Sequence, residues 1–252
     1  MKLSQVDRIS LDLSNFCTKA CDFCYNNSSS SGLNMWKTNE VIELALDCSI
    51  NGVKAFSFGG GEPFEYKGIF EIISALTPHL FVSVTSNGLP LYQDEIFSLL
   101  IKNRPDKIHL TIHNPSNKKE VSETIKMLKR ISRYDIRIGI NLFISSHQIA
   151  EAKQLTQKLY AIGFSEKNII FVPRKFDLVP TAKEVAEVAS RINFQSTSCL
   201  TNCSPSKEFC SISWDKKVGF CSFSPSKAPL EKYNYQSIME ALNSITFKTC
   251  LP

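Results

Sequence analysis

Between residues 7 and 192, short apolar runs alternate with segments whose apolar residues recur at helical spacing, and this alternation limits the fold more than any other feature. The strand candidates are Arg8–Leu13, Val53–Phe58, Leu80–Val84, Lys107–Ile112, Ile136–Phe143 and Asn168–Val172. The helical segments are Glu40–Cys48, Ile69–Leu76, Asp94–Ile101, Lys118–Ile131, Glu151–Ile162 and Thr181–Ile192. Strands joined through helices pair in parallel by right-handed crossovers, so the units wind one way. The fold class expected is therefore α/β. Six units fall short of the eight of a closed barrel, which points to a partial (β/α)6 barrel left open on one side; an open doubly wound sheet obeys the same rules.

After residue 192 the texture changes. Phe194–Ser206 is polar and turn-rich, Glu208–Phe223 reads as a short β-hairpin, and Gln236–Leu242 as a final helix. The expected division is a barrel over residues 1–192 and a small hairpin-plus-helix extension over 193–252. The only low-complexity stretch, Ser28–Ser31, is read as a solvated connection, with a flap over an active site as the sharper alternative.

Apolar content of 43% and charged content of 21% are those of a globular chain. No apolar run approaches the ~20 residues that span a bilayer, and Met1–Arg8 carries no signal-type apolar core. A cytoplasmic protein without membrane association is expected. The net charge of +5 is mild and spread along the chain, which suits an anionic substrate better than a nucleic-acid groove. Nine cysteines are many for such a chain. Three lie between positions 17 and 24, one at 48 and five after 198, so metal or thiol chemistry at two sites is expected rather than a disulfide framework.

The first site reads Cys17-Thr18-Lys19-Ala20-Cys21-Asp22-Phe23-Cys24, just past the carboxyl end of the first strand, where parallel α/β folds place ligands. A structural zinc site wants a fourth Cys or His close by; the next are Cys48 and His79. Three protein ligands leave one position of the metal centre open. This C-x3-C-x2-C spacing, with Phe23 before the last cysteine, resembles the signature of the radical S-adenosylmethionine (SAM) superfamily. The resemblance implies a 4Fe–4S cluster on Cys17, Cys21 and Cys24, with SAM on the fourth iron.

Phe58-Gly59-Gly60-Gly61-Glu62-Pro63 ends the second strand and Thr85-Ser86-Asn87-Gly88 the third. The glycines after the second strand let the backbone approach a ligand closely and adopt positive φ, with a simple turn as the alternative, and Asn87-Gly88 alone is a common turn signal. Gly60-Gly61-Glu62-Pro63 resembles the GGEP motif that holds the SAM amino group, and Ser86-Asn87-Gly88 the S/T-N-G sequence beside SAM in the same family. At the fourth strand end, Thr111 and His113 stand where relatives often carry a serine-containing sequence near the ribose. His113 replaces an acidic residue there, and a surface imidazole is the equal alternative. Asn141 on the fifth strand is expected to face the adenosine. The SAM contacts expected from the resemblance are Phe23, Gly60, Gly61, Glu62, Ser86, Asn87, Thr111, His113 and Asn141.

The tail resembles the start of the SPASM or twitch extensions that follow some radical SAM barrels, although Lys216 stands where a turn glycine is usual. The resemblance implies an auxiliary 4Fe–4S cluster on Cys203, Cys210, Cys221 and Cys250, with Cys199 able to replace Cys250; a zinc ribbon-like staple is the alternative. Cys48 is expected to be buried and inert. The function implied is cleavage of SAM to a 5′-deoxyadenosyl radical that abstracts hydrogen from a peptide or small molecule. The net reaction would be an oxidation or cross-link, with an external flavodoxin or ferredoxin as electron donor. Peptide epimerisation is the alternative within this chemistry, and a non-catalytic redox protein the alternative outside it.

Overall fold

The computed structural model describes residues 5–190, 200, 203–206 and 208–249. The elements are β1 (Arg8–Asp12), α1 (Thr38–Ile50), β2 (Ala55–Gly59), α2 (Ile69–Leu76), β3 (Phe81–Ser86), α3 (Asp94–Lys102), β4 (Lys107–Ile112), α4 (Lys118–Ile131), β5 (Arg137–Ile144), α5 (Ile149–Ala161), β6 (Ile169–Pro173), α6 (Ala182–Ala189), β7 (Phe209–Ile212), β8 (Lys217–Gly219), β9 (Lys227–Pro229) and α7 (Tyr235–Ser244). All six expected strands and all six expected helices of the body form, with ends shifted by a few residues. The class is α/β with parallel strands.

The described residues fall into two compact units: 5–107 with 205–206 and 208–249, and 108–190 with 200 and 203–204. In the first, the strands run in the order β3-β2-β1-β7-β8-β9. β7 joins β1 in parallel, and β8 and β9 continue antiparallel. The tail hairpin thus extends the sheet of the first strands. Its return strand β9 carries no period-2 pattern over its three residues, which is why the sequence did not suggest it.

Parallel register puts Ile9, Phe56 and Val82 in one row, and Leu11, Phe58 and Val84 in the next. All six are buried, as are Val41, Leu44, Ala45 and Cys48 of α1 and Ile69, Ile72, Ile73 and Leu76 of α2. A fully buried Phe or Leu contributes about 1.5–3 kcal/mol, so this face under the helices is the core of the unit. The opposite face is small and polar. Ser211, Ser10, Ser57 and Ser83 form one register row across β7, β1, β2 and β3, and the buried Ser211 hydroxyl has no hydrogen-bond partner among the described residues.

Lys216 explains its own departure from glycine. Its φ is +59°, a left-handed turn conformation, but its side chain is in use. The ammonium pairs with Glu40 (2.8 Å), donates to Tyr233 Oη (2.7 Å) and lies over the Trp36 and Tyr233 rings. A glycine would relieve the turn and lose all four contacts.

In the second unit the strand order is β4-β5-β6, with β5 and β6 parallel. Helix α4 begins at Asn117, whose side chain accepts from the Lys119 and Glu120 amides. Helix α6 begins with a reciprocal Thr181–Glu184 capping box. No helix among the described residues is long and apolar enough to cross a membrane.

Candidate functional site

The cysteine loop leaves β1 at Asp12 and is held from three sides. The Ser28–Ser31 segment folds back against its start: Cys17 N–H donates to Ser29 O (2.9 Å) and Ser29 N–H to Asn15 O (3.0 Å). That polar stretch is a brace for the loop, with Ser28 buried. From below, Thr18 donates through both its amide and its hydroxyl to the Glu65 carboxylate (3.0 and 2.5 Å). From the side, Glu62 N–H donates to Phe16 O (2.9 Å).

The glycines make this last approach feasible. Gly60 and Gly61 have φ of +68° and +59°; a Cβ on Gly60 would run into Asp12, and one on Gly61 into the Phe16 carbonyl and the Ser14 hydroxyl. The next residue, Glu62, is 1% exposed. Its carboxylate accepts from Ser86 Oγ (2.8 Å), Asn87 N–H (2.8 Å) and Phe64 N–H (3.1 Å). Burial nevertheless pushes its carboxyl up to about 7. Glu62 thus ties the end of β2 to the end of β3, and with three hydrogen bonds accepted it retains room for about one more.

Asn87 completes the convergence. Its Nδ2 donates to Cys17 Sγ at 3.6 Å, and the backbone amides of Lys19 and Ala20 also hydrogen-bond that sulfur. Such donors suit an anionic sulfur that ligates iron. Burial, with Glu62 and Glu65 adding to it, pushes the free Cys17 thiol up. Cys17 is buried and Cys21, Phe23 and Cys24 are half-buried on the same turn-rich loop. None of the three cysteines is in a disulfide, and no three metal-ligating side chains among the described residues are drawn into a preformed site. Three thiols on eight residues, with donors already aimed at the first sulfur, fit an iron–sulfur cluster that keeps one iron open.

Sequence reasoning missed Asp12 and Tyr25. Tyr25, directly after Cys24, donates its hydroxyl to Asp12 Oδ1 (3.1 Å), and its ring meets Phe223 with centroids 5.0 Å apart. Asp12 is buried against Gly60, and burial raises its carboxyl to about 6. An acidic residue inside an apolar strand, one turn before three cysteines, was the available signal.

The tail cysteines separate. Cys210 pairs in register with Ile9 on the helix-covered face and is 0% exposed. Burial pushes its thiol up to about 12, and its neighbour is the buried Cys48 of α1. Cys203 and Cys221 are half-buried. Cys210 therefore sits as a core residue and does not fit a ligand set with them. Cys250 and Cys199 lie outside the described residues.

The other expected SAM contacts belong to the second unit. Thr111 is on β4, half-buried. His113 Nδ1 lies 3.2 Å from Glu120 Oε1, which also accepts from the His113 amide (3.1 Å). Asn141 Oδ1 lies 2.9 Å from His109 Nδ1, and Gly139 leaves the space that the imidazole occupies. The His109–Asn141 pair was not foreseen, because it joins neighbouring strands remote in sequence.

Comparison with known proteins gives these positions a context. The sequence profile of the Radical SAM superfamily matches residues 11–175. A "Probable GTP 3′,8-cyclase" of Methanocella arvoryzae is 33% identical over 84 residues, 33% of this chain and 27% of that one. The sporulation killing factor maturation protein SkfB of Bacillus subtilis is 24% identical over 61% of this chain and 39% of that one. The chain thus spans less than half the length of these curated relatives. Among solved structures, anSMEcpe with bound AdoMet has a TM-score of 0.68 at 13% identity, covering 94% of this chain and 80% of that one. Streptococcus suis SuiB bound to its precursor peptide SuiA has a TM-score of 0.63 at 15% identity, covering 87% and 60%. These likenesses show the α/β fold, and the profile spans the cysteine loop, the glycine–glutamate turn and the Ser-Asn-Gly turn together. The chain belongs to the radical SAM superfamily.

Proposed function

We propose that this chain is an enzyme that uses a 4Fe–4S cluster on Cys17, Cys21 and Cys24, with SAM on the open iron, to abstract hydrogen from a peptide. When bound and reduced, the pair supplies a 5′-deoxyadenosyl radical. The observation that carries the reading is the junction of three motifs: Glu62 holds Ser86 and Asn87, and Asn87 donates to Cys17. An electron carrier has no use for such a pocket. Gly60, Gly61 and Glu62 would receive the methionyl amino group, with Phe23, Ser86, Asn87, Thr111, His113 and Asn141 as further SAM contacts.

Peptide is favoured as substrate because SuiB and anSMEcpe were solved with peptides bound and SkfB is named for maturation of a killing factor. The relatives named GTP 3′,8-cyclase favour a second reading, a small phosphorylated molecule. In either case the reaction is taken to be a net oxidation or cross-link, fed by a flavodoxin or ferredoxin. Cys203 and Cys221, with Cys250 or Cys199, are the candidate ligands of an electron-accepting second cluster in a 193–252 extension. Anaerobic reconstitution followed by SAM and dithionite tests the core of the proposal. 5′-Deoxyadenosine is expected, and a fully loaded chain that forms none refutes it. A loading of roughly eight irons per chain supports two clusters, and roughly four supports one.

A further inference from the structure

A cavity of about 410 Å³ opens beside the cysteine loop, within the first unit. One wall is Tyr25, Asn26 and Asn27, the residues that follow Cys24; the other comes from the tail hairpin and includes Trp214, Lys217 and Lys227. The charges on these walls are unequal. The charge of Asp215 is already paired with Lys217 Nζ at 2.6 Å, and its carboxylate also accepts from the Ser213 hydroxyl at 2.5 Å. Lys227 makes no ion pair among the described residues. The carboxyl of Asp12 feels the charge of Lys227, but it stands behind the Tyr25 phenol, which donates to it, and is not part of the cavity wall. Lining groups that make no hydrogen bond or ion pair among the described residues include three donors, the Lys227 ammonium, the Trp214 indole N–H and the Asn27 Nδ2 amide, beside which Asn27 also offers an acceptor oxygen.

A cation would meet an ammonium here, and an apolar group would leave three donors without partners at a cost for each. An oxyanion satisfies all three. We propose that this cavity seats an oxyanionic group of the substrate, a carboxylate or a phosphate, with Lys227 as the principal contact and Trp214 and Asn27 as supporting donors. The inference rests on the enzyme reading above and gives it a substrate anchor, directly after the third cluster cysteine. Tyr25 and Trp214 supply aromatic walls on the two sides of the cavity.

The test is anaerobic calorimetry on the full chain with tetraglutamate, tetraglutamine and inorganic tripolyphosphate as probes. Tryptophan fluorescence reports location, because Trp36 is buried under Lys216 and Trp214 lines the cavity. Saturable binding of tetraglutamate but not tetraglutamine supports a carboxylate anchor, and binding of tripolyphosphate supports a phosphate anchor. In either case K227Q should weaken binding about tenfold or more, K227R should restore it, and W214F should abolish the fluorescence change. The proposal is overturned if no anion binds, or if K227Q binds as the unaltered chain does while its thermal unfolding is normal. Deoxyadenosine formation by the unaltered chain is measured alongside. If it occurs without anion binding, the anchor fails and the enzyme reading stands; if it does not occur, the enzyme reading fails on its own account.

Discussion

Asp12 carries a carboxyl whose pKa is raised from 3.8 to about 6 by burial, with Tyr25 lowering it and not fully offsetting that burial. A folded-state pKa above the unfolded one means the native chain holds the proton more tightly. That contribution to stability is complete below about pH 3.8 and is lost as pH rises through about 6. The shift corresponds to about 3 kcal/mol at most. Asp12→Asn keeps an acceptor for Tyr25 and removes the titration. The expected outcome is that the apo chain loses stability between pH 4 and 7 more steeply than the D12N variant, measured by urea unfolding; parallel curves would refute the assignment. Little of this was legible beforehand. A buried carboxyl beside a glycine is a product of tertiary packing, whereas the glycines themselves announced a close approach. Lys216 is the converse case. It looked like a mismatch to a turn glycine, and its side-chain contacts with Glu40, Trp36 and Tyr233 supply the reason.

Strands and helices were legible because each carries its own period. The alternation Ile9-Ser10-Leu11-Asp12 already separates the helix-covered face from the polar one, and Lys118–Ile131 declares itself by apolar spacing. Partner choice was not legible. The tail hairpin could be read as a hairpin, yet nothing local says that β7 docks in parallel beside β1, and that docking decides which way each tail cysteine faces. The register with Ile9 turns Cys210 towards Cys48 and α1. Cys210→Ala should therefore leave the iron content of the reconstituted chain unchanged and cost about 1–2 kcal/mol of stability for the lost packing. Cys221→Ala should lower iron content with little effect on the core. Loss of iron in C210A, read by colorimetric iron and sulfide assay, would return Cys210 to the ligand set.

At the scale of the molecule, the unit that holds the cysteine loop is discontinuous in sequence. Among the described residues, 5–107 are completed by 205–206 and 208–249, and the connections between the two stretches are specific. The Asp7 and Arg8 amides donate to Glu208 O, Val6 N–H donates to Tyr235 Oη (3.1 Å), Tyr235 N–H to Asp47 (2.7 Å), and Trp36 Nε1 to Ser213 O (3.4 Å). Lys216 adds its ion pair to Glu40, and β7 satisfies the outer backbone edge of β1. An appended domain could be removed without harm to the barrel; a completing strand could not. Cutting after Ser204 would uncover the edge of β1 and the core around Ile9, Cys48 and Trp36, and leave Glu40 without its partner. An exposed central strand edge invites pairing between chains. The expected outcome is that a chain ending at Ser204 is recovered largely as aggregate, unfolds without a cooperative transition, and fails to take up the first cluster although Cys17, Cys21 and Cys24 are all present. Purification yield, circular dichroism on heating and iron content measure this. A soluble, cooperatively unfolding truncated chain with about four irons would show instead that the tail is an accessory to a self-sufficient barrel.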